Sequence, residues 1–359
     1  MIRETKTEKN LIDHSPKLTH IIAAYNEEDI IVEKIINTLE LDYPKDKIKT
    51  IIVADGSDDK TVKIVKNYEN VELQYSTERR GKLASINRVI PLVDTDIIVF
   101  SDANSMLSKN ALSSIMHHFA DDQVGAVAGE KRVDSESKDD AAGSGESSYW
   151  KYESLIKKWE SIISGTVGAA GELFAIRTHL YQSPPHHILT EDLVITSNVI
   201  KQGFKVKYEP IAWATEKPSK NVGEEIKRKI RISTGALQSI PYLIPVLNIF
   251  KYGAISLFLF SHKILRWLVA PSALLLLFIS SCFLLSSGSI IVQMAFYGQM
   301  LFYLIAFIGW LLSSKSLNVK MLFWPFYFLL MHFCIVIGYR NVLLGNNDVR
   351  WEKAERRVD

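Results

Sequence analysis

The sequence predicts an α/β domain built on a mostly parallel sheet, followed by a C-terminal module of membrane helices. Two observations carry this. Through residues 18–129, short β-branched runs alternate with helical patterns, the rhythm of a parallel sheet covered by helices. After Glu225 the next acidic residue is Asp348, so residues 226–347 hold ten Lys or Arg and no carboxylate side chain. The formal net charge of +2, from 42 basic and 40 acidic groups, conceals that asymmetry. A basic and very apolar second half excludes a simple soluble enzyme.

The elements follow in order. Residues 18–24 (LTHIIAA) read as a buried strand, then Tyr25, Asn26, Glu27 and Glu28, then a helical stripe through Ile31, Ile35, Ile36 and Leu39. Residues 48–54 (IKTIIVA) form a second strand that ends at Asp55, Gly56, Ser57 and Asp58. Residues 61–68 are helical, 71–76 a third strand and 82–92 a helix; 96–101 (DIIVFS) form a fourth strand ending at Asp102, Ala103 and Asn104. A helix at 107–119 and a strand at 124–129 continue the pattern. Ligands of such sheets sit beyond the carboxyl ends of the strands. Asn26/Glu27, Asp55/Asp58 and Asp102/Asn104 are therefore expected to converge on one crevice. Helix capping by Asp58 or Ser57, and by Ser108 or Asn110, is the competing use of these residue types. Two carboxylates and an amide at strand ends are also hard oxygen ligands suited to Mg²⁺ or Mn²⁺.

Residues 121–150 pass from a strand into a Ser/Gly/Asp/Glu-rich stretch read as a mobile loop over the site. Residues 149–165 then form a helix whose Trp150, Leu155, Ile156, Trp159 and Ile163 are expected in the core. Three uncharged segments, 268–287, 290–312 and 321–339, each approach the ~20 residues that span a bilayer. Together they make a transmembrane module over 268–344. Residues 239–267 are apolar but broken by Pro241, Pro245, Lys251, His262, Lys263 and Arg266, and read as amphipathic helices at the membrane surface, basic groups toward headgroups. A fourth span at 243–259 is the alternative. Lys263, Arg266, Lys315 and Lys320 mark cytoplasmic flanks. The tail 1–17 is polar, without a signal-like apolar stretch, which places the domain before the spans in the cytoplasm. The tail 345–359 is polar with no net charge. Cys282 and Cys334 lie within spans as packing residues, and no basic face suggests nucleic acid.

Six ordered motifs add a resemblance: AAYNEE (23–28), ADGSDD (54–59), RRGKLASIN (79–87), SDAN (101–104), GAAGELFAIR (168–177) and TEDL (190–193). The series resembles the family 2 glycosyltransferases, whose catalytic domain is a nucleotide-binding α/β fold of the GT-A type. The cellulose, chitin and hyaluronan synthase branch and bacterial exopolysaccharide or lipid-linked glycan transferases are the nearest groups in appearance. The resemblance covers roughly 18–237 and sets a domain at 18–238. It implies that Ala24, Tyr25 and Glu27 border the base and ribose of a nucleotide sugar, with Asp55 at the base edge and Lys82 near the base or diphosphate. Asp102 and Asn104 occupy the places of the family's metal-binding Asp-x-Asp, with an amide where the second carboxylate stands. Asp192 would be the general base and Glu191 its neighbour that orients it or the acceptor; Glu172 is an acceptor-side candidate. The family's Gln-x-x-Arg-Trp is replaced by Arg228, Lys229, Ile230, Arg231 and Ile232. Phosphate contact then falls to Arg228 and Arg231, and the aromatic platform is missing.

The implied activity is inverting transfer of a hexosyl or N-acetylhexosaminyl group from a nucleotide sugar, UDP-linked by resemblance, with Mg²⁺ or Mn²⁺. The acceptor would be a lipid-linked saccharide or glycolipid at the cytoplasmic face of a bacterial inner membrane. A processive polysaccharide synthase is the alternative, with a second copy or an export partner completing the channel; a silent scaffold is the non-enzyme alternative.

Overall fold

The computed structural model describes residues 15–134, 141–314 and 320–345. Expectations for the two polar tails fall almost wholly outside these residues, as does Lys315. The first half forms β1 (Leu18–Ala24), α1 (Ile31–Leu39), β2 (Ile48–Asp55), α2 (Thr61–Val65), β3 (Glu72–Ser76), α3 (Lys82–Val89) and β4 (Ile97–Asp102). These strands pair in parallel, with Ala24 beside Ala54 and Ala23 beside Asp102. That register brings the ends of β1, β2 and β4 level, which is what the strand-end argument required.

The second half departs from a mostly parallel sheet. It runs β5 (Met106–Leu107), α4 (Ala111–His118), β6 (Val124–Val133), α5 (Ala141–Ile163), β7 (Leu173–Arg177), α6 (Glu191–Lys201), β8 (Lys205–Glu216) and α7 (Val222–Leu243). The eight strands form one mixed sheet in the order β3-β2-β1-β4-β7-β6-β8-β5. β7 is antiparallel to both β4 and β6, and β5 is antiparallel to β8, whereas β6 and β8 run parallel. The expected loop over 121–150 is also corrected in part: β6 extends to Val133 and a long helix begins at Ala141.

Helices cover both faces. Leu112, Ile115, Met116 and Phe119 of α4 pack on Val99, Val127 and Ala175, while Ile31 and Ile35 of α1 pack on Ile22 and Ile52. The opposite face holds Ile86 of α3, Leu193 and Val199 of α6 and Ala236 of α7 over Ile21, Phe100 and Phe174. That cluster does not stop at the domain edge. It continues through Leu243 and Val246 to Ile255, Leu259, Ile264 and Trp267, and reaches Ile335.

The chain after α7 forms α8 (Ile249–Tyr252), α9 (Ala254–Phe258), a π-helical stretch Leu259–Val269, α10 (Ala270–Leu284), α11 (Ile290–Ser314) and α12 (Lys320–Leu343). Among the described residues, three helices are long and apolar enough to cross a membrane: Ala254–Ser287, Ile290–Ser313 and Leu322–Leu343. This makes the chain an integral membrane protein with a soluble domain ahead of its spans. Residues 254–267, expected at the membrane surface, run without a break into the first of these helices. Pro271 explains the π-helical stretch just before it: proline offers no N–H to the carbonyl four residues back and crowds it. That carbonyl belongs to Trp267, and it accepts instead from the Tyr339 hydroxyl at 2.8 Å.

His262, Lys263 and Arg266 do not face headgroups. Glu153 of α5 takes His262 Nε2 at 3.1 Å, Lys263 at 2.5 Å and Arg266 at 2.9 Å, and Glu160 takes His262 Nδ1 at 2.8 Å. Burial alone would raise the Glu153 carboxyl, but Lys263 and Arg266 hold it well below the usual range. α12 differs from the other two spans, since 39 % of its apolar window is buried against 6 % for each of them. It lies along α7, where a Cβ on Gly338 would come within 3.1 Å of the Ser233–Thr234 backbone. Tyr327 donates to Glu225 at 3.3 Å and Asn341 to Thr234 at 3.3 Å.

Candidate active site

The β1 and β2 loops are stitched together. Asn26, in the left-handed region at φ 52°, donates to Asp58 at 2.6 Å and accepts from the Asp58 N–H at 3.0 Å. Glu27 and Glu28 N–H groups donate to Thr61 Oγ1 and Asp59 Oδ2. Asp59 also accepts from the Thr61 N–H at the start of α2, whose N-cap position is Lys60, so neither Asp58 nor Ser57 takes the expected capping place. Asp55 accepts from the Arg80 N–H at 3.1 Å and the Gly81 N–H at 2.6 Å, which fastens the Arg79–Lys82 turn over the strand end. Ala24, Tyr25, Asp55 and Lys82 border one narrow cleft there, and the Arg79 guanidinium lies 3.8 Å from the centre of the Tyr25 ring.

Beside it opens a cavity of about 1850 Å³. Glu27, Lys82, Asp102, Asn104, Glu191 and Asp192 line its polar end, together with Arg228 and Arg231. Lys82 sits 2.7 Å from Asp102 and 2.9 Å from Glu191, bridging the end of β4 to the start of α6. Burial alone would lower the Lys82 ammonium, yet Asp102 and Glu191 raise it above its ordinary value. Burial dominates at Asp102 and raises it despite Lys82. At Asp192, burial and then the neighbouring Glu191 lift the carboxyl to about 7. A carboxylate poised there can accept a proton near neutral pH.

α7 closes this side. Gly235 permits it, since a Cβ there would sit 2.8 Å from Leu189 Cβ and 2.9 Å from Thr190 Cγ2. The Thr190 and Ser239 hydroxyls meet at 2.8 Å. One turn before Gly235, Arg231 feels the charges of Glu191 and Asp102, although burial lowers it overall. Arg228 behaves otherwise: its guanidinium is committed to Glu146 and, at 3.0 Å, to Glu225. A phosphate contact would require it to leave two buried carboxylates. Ile232, at the place of the family aromatic, also lines the cavity.

For a divalent cation the donor set fits in part. Asn104 Oδ1 is buried and has no hydrogen-bond partner among the described residues. With Asp102 it offers two oxygens, while no group of three or more His, Cys, Asp or Glu among the described residues could hold a metal by itself. Diphosphate oxygens would have to complete the shell.

Several site residues were missed from the sequence. Lys131 of β6 pairs with Glu172 and, at 2.6 Å, with Glu216 at the end of β8. Ser105 Oγ lies 3.3 Å from Glu216, and Lys34 donates to the Ser105 carbonyl at 2.5 Å. Burial pushes the fully enclosed Lys34 down to about 7. Two signals were present: Glu216 ends an alternating strand as Asp102 does, and Lys34 interrupts the apolar stripe of α1.

A model of the family described as Glycosyltransferase like family 2 matches residues 16–235, from just before β1 into α7. The chain is a member of glycosyltransferase family 2. This family 2 enzyme is 28 % identical over 237 residues to the poly-β-1,6-N-acetyl-D-glucosamine synthase of Staphylococcus aureus strain MSSA476, covering 62 % of this chain and 55 % of that one. The synthase of the same name from Staphylococcus epidermidis is 24 % identical over 235 residues, with 61 % and 54 % covered. The chain thus spans about half the length of these curated relatives. A solved mannosyltransferase from Pyrobaculum calidifontis, in complex with GDP-mannose and Mn²⁺, shares the fold with a TM-score of 0.68 at 22 % identity, covering 93 % of this chain and 88 % of that one. The GT-A architecture and its union with C-terminal apolar helices are thereby established for this glycosyltransferase.

Proposed function

We propose that this glycosyltransferase extends a β-linked glycan, moving a hexosyl or N-acetylhexosaminyl group from a nucleotide sugar to an acceptor hydroxyl with inversion. The observation that carries the reading is the shared cavity in which Asp192, Lys82, Asp102 and Asn104 face one another beyond the strand ends. Asp192 takes the proton of the incoming hydroxyl as that oxygen bonds to the anomeric carbon, and the bond to the diphosphate breaks on the opposite face. Lys82 and Arg231 meet the charge of the departing diphosphate. Asp102 and Asn104 would hold Mg²⁺ or Mn²⁺, which supplies further neutralisation of that leaving group when bound. Ala24, Tyr25 and Asp55 border the base end, beside Arg79. Glu191 anchors Lys82 and tunes Asp192. The domain faces the cytoplasm by this reading, since its donor is a cytosolic metabolite.

The polymer-forming reading is supported by the names of the curated relatives. A second reading, single transfer to a lipid-linked saccharide, is favoured by the cavity itself. Its far end is walled by Ala273, Leu274 and Leu277 of α10 and by Phe328, Met331 and Ile335 of α12, and Ile232 provides no aromatic platform. Purified protein in nanodiscs, supplied with a panel of nucleotide sugars and extracted lipids, separates them by product length. A ladder supports extension, a single increment supports the lipid-linked acceptor, and no nucleoside diphosphate release with any donor removes both.

A further inference from the structure

Helix α5 is built inside out for a helix of a soluble domain. Glu153, Lys157 and Glu160 are at most 4 % exposed, and Ser161 is buried beside them. Tyr152, Leu155, Trp159, Ile162 and Ile163 are instead 54–64 % exposed. At 100° per residue those five fall within one stripe about 100° wide, opposite the charged one. The sequence reading had placed Leu155, Trp159 and Ile163 in the core, and the structure turns them outward. The inward polarity is partnered: Glu153 and Glu160 hold His262, Lys263 and Arg266, Thr166 donates to Glu160 at 2.9 Å, Ser161 accepts from the Tyr208 N–H at 2.9 Å, and the Lys157 ammonium lies 6.0 Å from the centre of the Tyr208 ring. The apolar stripe is therefore not a packing fault awaiting a core.

We infer that the occupant of this face is lipid: α5 lies in the membrane interface as part of the catalytic domain. Continuity with the spans supports this over a protein partner. Leu155, Ile156, Trp159 and Ile163 line the same cavity as Ala273, Leu274 and Leu277 of α10, and the outer side of α10 carries Leu275 and Leu276 at 59 % and 64 % exposure. The ion cluster on Glu153 fixes α5 to the stretch just before α10, so both apolar surfaces meet the bilayer as one. Exposed Lys151 and Lys158 flank one side of the stripe, where ammonium groups reach headgroup phosphates. The inference goes beyond the proposed reaction and does not rest on it.

The test places a photoreactive p-benzoylphenylalanine at Trp159, and separately at Ile162, in full-length protein. The protein is held in phosphatidylcholine–phosphatidylglycerol nanodiscs containing a headgroup-biotinylated phospholipid. Each position is more than half exposed, so neither probe replaces a core contact. A probe at Leu276 marks full lipid contact, and one at the exposed Lys66, remote on the soluble domain, marks its absence. Biotin capture at 159 and 162 comparable to that at 276 is the expected result. Capture no greater than at 66 would overturn the inference. Adducts of two protein chains in place of lipid would overturn it too, assigning the face to a second copy.

Discussion

Replacing Asp192 by Asn separates the base role from every structural role this residue could have. Asp192 is the second residue of α6 and accepts from the Leu193 N–H. The amide retains that acceptor and the side-chain volume. Loss of one negative charge from the first turn costs about 0.3–1 kcal/mol through the helix dipole. Against this, the native fold lifts the carboxyl from its ordinary 3.8 to about 7. A raised carboxylate destabilises the fold once pH passes its unfolded value, and the neutral amide removes that penalty, of the order of a few kcal/mol. The Asp192→Asn protein is therefore expected to unfold at the same temperature as wild type or higher at pH 8. Transfer is another matter, because positioned proton abstraction contributes about 10²–10⁴-fold in rate. Donor affinity by calorimetry, beside single-turnover transfer on the same preparation, gives the decision. Near-normal donor binding with at least ~100-fold slower transfer is expected. Transfer within a few fold of wild type would refute the assignment, and so would loss of donor binding in step with rate.

Four further outcomes follow from the same geometry. The wild-type kcat/KM should fall as pH drops through about 7, where Asp192 takes up its proton, and Glu191→Gln should move that limb to lower pH by removing a neighbouring negative charge; an unmoved limb would dissociate it from Asp192. Asp102→Ala should lose Mn²⁺-dependent donor binding, and Asn104→Asp should lower the Mn²⁺ concentration for half-maximal binding; full activity of Asp102→Ala in excess chelator would remove the metal from the scheme. Lys34 is held below its unfolded value, so wild-type stability should rise with pH from about 7 towards its ordinary 10.5, a range in which the fold has released a proton that the unfolded chain still binds. Lys34→Met should flatten this part of the melting-temperature curve. Glu153→Gln strips the carboxylate from the buried Lys263 and from Arg266, beside His262, and should destabilise by about 3–5 kcal/mol, read by thermal unfolding in nanodiscs.

The parts of the fold legible in the sequence were those where burial is complete and local. β1 and β4 are short, largely apolar runs with polar residues at or just after their ends, so their positions and the convergence of their ends followed from the pattern. The antiparallel entry of β7 was not legible, because partner choice is settled by contacts with strands more than 70 residues away, Arg177 against Ile97 among them. The candidate site was read through strand ends and motif spacing, and Lys82, Asp102, Glu191 and Asp192 line one cavity. Arg228 was read as a phosphate ligand because its charge was visible and its partners Glu146 and Glu225 were not. The stripe on α5 was detected correctly as a stripe and assigned to the wrong side. Periodicity reports that one face of a helix is apolar; only the neighbouring elements say whether protein or lipid covers it.

The docking of α12 along α7 also bears on how far the acceptor must travel. A catalytic domain hung from its membrane helices by a linker would swivel, and the height of Asp192 above the lipid would vary from moment to moment. Here the Gly338 contact and the Tyr327 and Asn341 bonds lash the last span to the helix that walls the candidate site, and the Tyr339–Trp267 bond ties it to the π-helical stretch before α10. The distance from bilayer to Asp192 is then a constant of the molecule, a ruler set by packing. Under the proposed reaction, a lipid-borne acceptor too short to rise to that mark gains nothing from a higher concentration in the membrane. Deleting the last span would remove more than a tether: it would strip the outer support from α7 and leave the ruler without its zero.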